Sequence, residues 1–294
     1  MLKKFRVVAA LFLFAFTASL AVSDDTSKIG LSAKQIADKN AEARGGLHAW
    51  RAVQTMSFTG RLTAGGNQRA ILETPGDAMA QKYVANRPAQ EVELPFLMEF
   101  KRPRKMRVEL QFKGETALQV FDGTNGWKLR PYLGRRVVES YTPEEIKITE
   151  TQSELDGPLL DYEAKGTRAD LDGMEKVEGR DTYKLKLTTK TGQVTHVWID
   201  ARTFLEAKVE GQPRRLDGTY HPVEIYFRDY RLTNGLQIPY LLETRVLPVV
   251  RTLLGFKDPP VPPEKAIIDK VAVNPKLDDS RFSKPEVQLA SATK

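Results

Sequence analysis

The sequence predicts a mainly β (α+β) protein built from one-sided antiparallel sheet, and three observations carry that prediction. Between Met106 and Phe112 every second residue is apolar (Met106, Val108, Leu110, Phe112), while Arg107, Glu109 and Gln111 between them are polar. A period of two describes a strand with one buried face and one wet face. The same alternation returns at Tyr183, Leu185 and Leu187 and again at Val223, Ile225 and Phe227. Turn signals at Asp122-Gly123-Thr124-Asn125-Gly126, Gly179-Arg180-Asp181, Thr191-Gly192 and Asn234-Gly235 separate such runs, as a meander of hairpins requires.

The first element reads as an export signal. Lys3, Lys4 and Arg6 precede the apolar run Val7 to Phe16, and Ala21-Val22-Ser23 offers small residues for cleavage after Ser23. The run is short for a membrane span, and the other reading is an uncleaved N-terminal anchor. The expected organisation is a signal peptide over 1–23 and a single domain over 24–294. A helix follows: Ser32 and Gln35 have capping-box spacing, Ala33, Ile36, Ala37 and Ala41 form a narrow apolar stripe, and Gly45-Gly46 ends it. Leu47 to Trp50 adds a short second helical turn.

Strands then dominate. Met56, Phe58, Gly60 and Leu62 mark the first, which is expected to turn at Gly65-Gly66-Asn67; Ala70–Glu73 and Met79–Ala85 are weaker strand signals. Met98–Lys101 leads through Pro103 to the strand Lys105–Lys113, and Thr116–Phe121 runs into a hairpin in which Asn125-Gly126 is expected to supply positive φ. Trp127 beyond it reads as a packed residue. Thr142-Pro143-Glu144-Glu145 combines an N-cap, proline at the first helical position and glutamate three residues on, which predicts a helix from Pro143 to about Glu154. Pro158–Glu163 is a candidate second short helix. The second β block comprises Thr167–Met174, Thr182–Thr189, Val194–Asp200, Phe204–Glu210, Val223–Leu232, Ile238–Leu247 and, past the Pro-rich stretch 258–263, Ile267–Val273. The apolar segment Leu247–Phe256 reads as a core strand or buried turn, or as a flap beside a ligand mouth or membrane.

The net charge of +7 falls by three when the signal's basic residues leave, a mild excess that does not indicate a nucleic-acid partner. There is no cysteine, so stability must come from a core and no lipid is attached through cysteine. His48, His196 and His221 do not share metal-ligand spacing. There is no Gly-x-Ser-x-Gly elbow, and the carboxylate pairs Glu144-Glu145 and Asp278-Asp279 are sequence neighbours that do not face one site. Glu144-Glu145 suits the first turn of a helix. No catalytic set, metal or cofactor is expected. Lys101-Arg102-Pro103-Arg104-Lys105, the densest basic run, reads as a solvated bend or as a docking patch for an acidic partner or anionic headgroups.

The ordered series Ala43-Arg44-Gly45-Gly46-Leu47, Phe121-Asp122-Gly123-Thr124-Asn125-Gly126-Trp127, Glu178-Gly179-Arg180-Asp181-Thr182-Tyr183-Lys184-Leu185, Trp198-Ile199-Asp200-Ala201-Arg202-Thr203, Asp229-Tyr230-Arg231 with Gly235 to Pro239, and Asn274-Pro275 through Phe282 resembles the outer-membrane lipoprotein-sorting protein family. The resemblance covers nearly the whole chain after residue 23. It implies a LolA-like half-open antiparallel β-barrel, with helices covering the open side over an apolar cavity. It also implies a periplasmic, non-enzymatic carrier of lipoprotein acyl chains or other lipids, with an inner-membrane transporter as donor and an outer-membrane acceptor. A monomer is expected. The alternative is a periplasmic sensor or adaptor of a membrane complex that uses the same fold to bind a protein partner. The apolar face itself is the candidate site: Met56, Phe58, Met106, Val108, Leu110, Phe112, Leu185, Leu187, Ile225 and Phe227 are expected to line the cavity or the core beneath its lid.

Overall fold

Ser32 opens the first helix as its spacing predicts: its hydroxyl accepts from the Gln35 amide at 3.2 Å, and its own amide donates to the Gln35 side chain at 2.8 Å. In the computed structural model, which describes residues 30–64, 91–216, 219–251, 256–257 and 262–286, this helix α1 spans Ala33–Ala43 and α2 spans Leu47–Ala52. Gly45 and Gly46 join them at φ of 112° and 93°. A Cβ on Gly45 would stand 2.3 Å from the Gly235 carbonyl oxygen, so only glycine lets the helix end lie against that hairpin.

Thirteen strands among the described residues form one sheet: β1 (Thr55–Ala64), β2 (Val92–Lys101), β3 (Lys105–Phe112), β4 (Glu115–Phe121), β5 (Gly126–Arg130), β6 (Arg135–Ser140), β7 (Arg168–Val177), β8 (Arg180–Thr188), β9 (Val194–Asp200), β10 (Glu206–Leu216), β11 (Thr219–Thr233), β12 (Leu236–Val246) and β13 (Glu264–Val273). Their order is β6-β5-β4-β3-β2-β1-β13-β12-β11-β10-β9-β8-β7, antiparallel throughout. The chain meanders out to one edge at β6, then crosses through helix α3 (Pro143–Gln152) and a run of turns over 153–166 to the opposite edge at β7. It meanders back to β12, and β13 fills the place between β12 and β1.

The edges β6 and β7 do not pair with each other, so the sheet stays open. It is nonetheless rolled. Phe100 on β2 and Val197 on β9 line one cavity, although six neighbour steps of about 4.8 Å would hold them roughly 29 Å apart in a flat sheet. The expected mainly β architecture, a half-open antiparallel barrel with helices covering its open side, agrees with this open, mostly β sheet with few helices. One buried cluster packs α2 through Trp50 and Val53 on Met56, Phe96, Ile238, Ile268 and Val271. A second packs α1 through Ile36 and Ala37, with Leu159 and Tyr162, on Leu185, Leu187, Val197 and Ile199.

Some elements differ from expectation for local reasons. Strand β2 begins six residues before Met98 and contains Pro95, opposite Arg61, which breaks the sequence signal without breaking the strand. Strand β6 follows a short 3-10 turn at Pro131–Leu133 and lacks alternation because it is an edge. The Asp122 hairpin turns on Gly123, at φ 104°, and not on Asn125-Gly126; the Asp122 carboxylate accepts from the amides of Thr124 (2.8 Å) and Asn125 (2.7 Å), closing the loop. Residues 158–163 are hydrogen-bonded turns and not a helix, because Asp161 takes a left-handed φ of 55°. The β7–β8 turn sits one residue earlier than its sequence signal, on Glu178 and Gly179 at φ 50° and 81°. Val250–Arg251 pairs with Phe256–Lys257 as a separate two-residue ladder. The signal segment, the turn expected at residues 65–67, the two weak strands expected between residues 70 and 85, and most of the Pro-rich stretch lie outside the described residues.

Candidate functional site

The sheet's register sets the site. Across β3, β2 and β1 the cross-strand neighbours are Leu110, Phe96 and Gly60, then Val108, Met98 and Phe58, then Met106, Phe100 and Met56. All point to the inner face, which therefore carries three tiers of apolar side chains. Two cavities open over these tiers. The larger, about 310 Å³, is floored by Met56, Phe58, Met98, Phe100, Ile268 and Leu242 and extends to Phe227, Val209 and Val197; Trp50 and the turn residues Leu155, Pro158 and Leu159 complete it. The smaller, about 180 Å³, is bounded by Leu62, Phe96, Val108, Leu110, Ala117, Leu118 and Leu129, with Gln119, Arg130 and Tyr132 as its polar members. Met98 lines both.

One wall of the larger cavity is polar. Arg44 closes α1 with its guanidinium 4.3 Å from the Trp50 ring centroid, and the Trp50 indole N–H donates to the Arg44 carbonyl at 3.0 Å. Arg44 Nη1 donates to the Asp156 carbonyl (2.9 Å) and to Glu206 Oε1 (3.2 Å). The Tyr230 hydroxyl donates to Glu206 Oε2 at 3.1 Å. Burial, and then the Glu206 charge, hold the Tyr230 hydroxyl protonated far beyond neutral pH. Each charge in this wall has an opposite partner, so the wall can fix a polar group without presenting a bare ion to the apolar space.

The turns that roof this cavity are tied down from two other elements and closed on themselves. Arg102, in the β2–β3 turn, holds the Asp156 carboxylate and also donates to the carbonyls of Val53 (2.6 Å) and Trp50 (3.1 Å). Arg51 of α2 binds Asp161 with two nitrogens, at 2.7 and 3.0 Å. Lys165 closes the turns on themselves through the Gly157 carbonyl at 2.5 Å. Within the basic run, Arg102 is thus a structural tie, and Lys101 and Lys105 both face Asp279 at 2.9 Å.

The ten candidate residues divide by position. Met56, Phe58 and Phe227 line the larger cavity, and Val108 and Leu110 the smaller. Met106 is buried in the tier below, opposite Phe100 and Phe121. Phe112 lies at the end of β3, its ring edge-on to Tyr132 at 6.5 Å. Leu185 and Leu187 are packed under α1, and Ile225 is half-buried between Val209 and Thr244 in the register. Sequence reasoning did not single out Met98, Leu242, Leu155 or the Arg44–Glu206–Tyr230 wall. Phe96, Met98 and Phe100 do carry the period-two signal. Glu206 and Tyr230 meet Arg44 only through the fold, with no local pattern to mark them.

The histidines do not converge: His48 is exposed, His196 Nδ1 lies 2.9 Å from Glu210, and His221 Nδ1 lies 3.1 Å from the Leu247 carbonyl. Among the described residues no group of three or more His, Asp or Glu is placed to hold a metal ion, and no helix is long and apolar enough to cross a membrane.

No protein-family model matches the chain, and no curated protein matches it in sequence. Among solved structures the chain is similar to a LolA superfamily protein from Nitrosomonas europaea, at 14% identity and a TM-score of 0.48, covering 86% of this chain and 98% of that one. It is similar also to a putative outer membrane lipoprotein-sorting protein domain from Vibrio parahaemolyticus, at 13% identity and a TM-score of 0.49, covering 85% and 95%. A DUF1329 family protein from Desulfovibrio piger matches at 12% identity and a TM-score of 0.47, covering 85% and 97%.

Proposed function

We propose that this chain is a non-enzymatic carrier that shelters an acyl chain of a lipoprotein or another lipid, in the periplasm, for transfer toward the outer membrane. The observation that carries this reading is the apolar cavity of about 310 Å³ between the rolled sheet and its roof, adjoined by a second of about 180 Å³. Well-packed domains keep few voids larger than a water molecule, and small-molecule sites begin at about this size. Burying an acyl chain yields roughly 0.8 kcal/mol per methylene, on the order of 12 kcal/mol gross for a sixteen-carbon chain. Ordering the chain and adjusting the roof offset part of that. The net figure need only keep the cargo out of water while leaving a deeper acceptor able to take it, so no bond chemistry is required. Export, with cleavage after Ser23, belongs to the same proposal and is supported by the charged and apolar pattern of the first residues.

The test is mass spectrometry of organic extract from the natively purified protein, followed by titration of the delipidated protein with a fluorescent fatty acid. Co-purifying lipid and saturable binding support the carrier. An empty protein that binds no acyl probe, yet captures a membrane complex, supports the adaptor instead.

A further inference from the structure

Among the described residues, Met98 alone lines both cavities. Along β2, Phe96 lines only the smaller cavity and Phe100 only the larger, and Met98 stands between them. Its register neighbours are Phe58 on β1, which lines the larger cavity, and Val108 on β3, which lines the smaller. The two spaces thus form a diagonal path over the sheet's inner face with one thioether side chain at the crossing.

We infer that Met98 is a movable partition between two compartments of one trough, and that the ligand is an amphiphile whose single long hydrocarbon chain passes beneath it. The inference rests on the carrier reading and adds the ligand's shape and the residue that selects it. Methionine has three rotatable side-chain bonds and no branch, so it swings aside at lower steric cost than the neighbouring phenylalanines. The placement of polar groups argues for one chain over two. Gln119 and Arg130 belong to the smaller compartment, on β4 and β5, while the larger has Glu206 and Tyr230 on β10 and β11, on the far side of the strand order, Arg44 at the end of α1, and Gln152 and Glu154 at the start of the roof. The crossing is surrounded by Phe58, Phe96, Phe100 and Val108, which offer a headgroup no hydrogen bond. A lipid with one chain in each compartment would put its headgroup at that crossing. A single chain puts its polar end at one extremity of the trough.

The test is calorimetric titration of the delipidated full chain with octanoate and with hexadecanoate, for the wild type and for Met98→Trp and Met98→Ala. The wild type should bind two octanoates, one per compartment, but one hexadecanoate. Met98→Trp should weaken hexadecanoate at least tenfold more than it weakens octanoate, while Met98→Ala should keep hexadecanoate binding at or above the wild-type affinity. If Met98→Trp does not fold, the wild-type stoichiometries together with Met98→Ala decide. One octanoate per protein, or a Trp variant that binds both lengths as the wild type does, overturns the partition and leaves the carrier standing. So does a two-chain phospholipid that displaces octanoate from both compartments at once while hexadecanoate displaces only one. Failure of the wild type to bind either fatty acid overturns the carrier reading itself, and the partition with it.

Discussion

Arg102 and Asp156 join, nitrogen to oxygen at two points, the β2–β3 turn and the segment that roofs the larger cavity. The pair is mostly buried, with 26% of the Arg102 side chain and 13% of the Asp156 side chain exposed. Arg102 also donates to the carbonyls of Val53 and Trp50, so its removal takes a donor from the Asp156 carboxylate and from two carbonyls at once. Arg102→Ala should therefore cost about 2–4 kcal/mol, and Asp156→Asn less, because an amide still accepts from the guanidinium. Arg104, half-exposed and 3.4 Å from Glu154, is the internal control; Arg104→Ala should cost under about 0.5 kcal/mol. Urea denaturation of the three variants checks the order, and equal losses for Arg102→Ala and Arg104→Ala would contradict it.

Lining residues and packed residues separate by the same pair of measurements. Leu110 borders the smaller cavity and is only half-buried. Leu110→Asp should stay folded and lose acyl-probe binding at least tenfold, because a carboxylate in an apolar trough must be desolvated by any ligand that enters. Leu185 is fully buried under α1, so Leu185→Ala should cost about 2–5 kcal/mol and leave the probe's affinity within twofold. Melting curves and probe titrations on both variants give the answer. A folded Leu110→Asp variant with wild-type binding would remove Leu110 from the site.

What was legible in the sequence follows from how local each cause is. The Ser32–Gln35 and Thr142–Glu145 caps were legible because each joins residues three apart. The strands β3, β8 and β11 were legible because one face is buried and one wet, which writes a period of two. Strand β6 was not, because an edge strand with both faces wet leaves no alternation. The roof over 153–166 was hidden for a different reason: Arg51 and Arg102, roughly fifty or more residues away, hold it. Alternation also reports which face a side chain takes and not what lies opposite it. Leu110 and Leu185 carry the same signal, yet one meets a cavity and the other meets α1.

Acid should loosen the outer side of the sheet, which neutral pH leaves intact. Glu178, in the β7–β8 turn, reaches across to Arg228 on β11 and Arg245 on β12. The Arg228 hydrogen bonds, then Arg245, draw its carboxyl from its ordinary 4.5 down to about 2 against the cost of burial. A carboxylate held below its unfolded value stabilises the folded chain fully above about pH 4.5, and that stabilisation is lost as pH falls toward about 2. With a third of the side chain exposed, solvent screening reduces the contribution to about 1–2 kcal/mol. Glu178→Gln should be less stable than wild type by that amount at pH 7, and the gap should close between pH 4.5 and 2. Urea midpoints at pH 7, 4 and 2.5 measure it; a constant gap at all three values would mean that the loss is packing and not charge.

Glu145 performs two tasks, and substitution separates them. Its Oε2 accepts from the Thr142 amide at 2.8 Å, completing the capping box of α3, and both its oxygens bind Lys128 Nζ, at 2.5 and 2.6 Å. Only 10% of the Lys128 side chain is exposed, so this pair fastens α3 to β5. Thr142→Ala removes the cap alone and should cost about 1 kcal/mol. Glu145→Gln keeps an oxygen for the cap but leaves Lys128 nearly buried beside a neutral amide, which should cost about 1–3 kcal/mol. Adding Lys128→Met to Glu145→Gln removes the stranded charge and fills its space, so the double variant should recover at least half of the single variant's loss. Denaturation midpoints for wild type, Glu145→Gln, Lys128→Met and the double variant form the cycle. Strict additivity, with Lys128→Met worsening Glu145→Gln, would show that the contact between α3 and β5 depends on packing of the lysine stem and not on its charge.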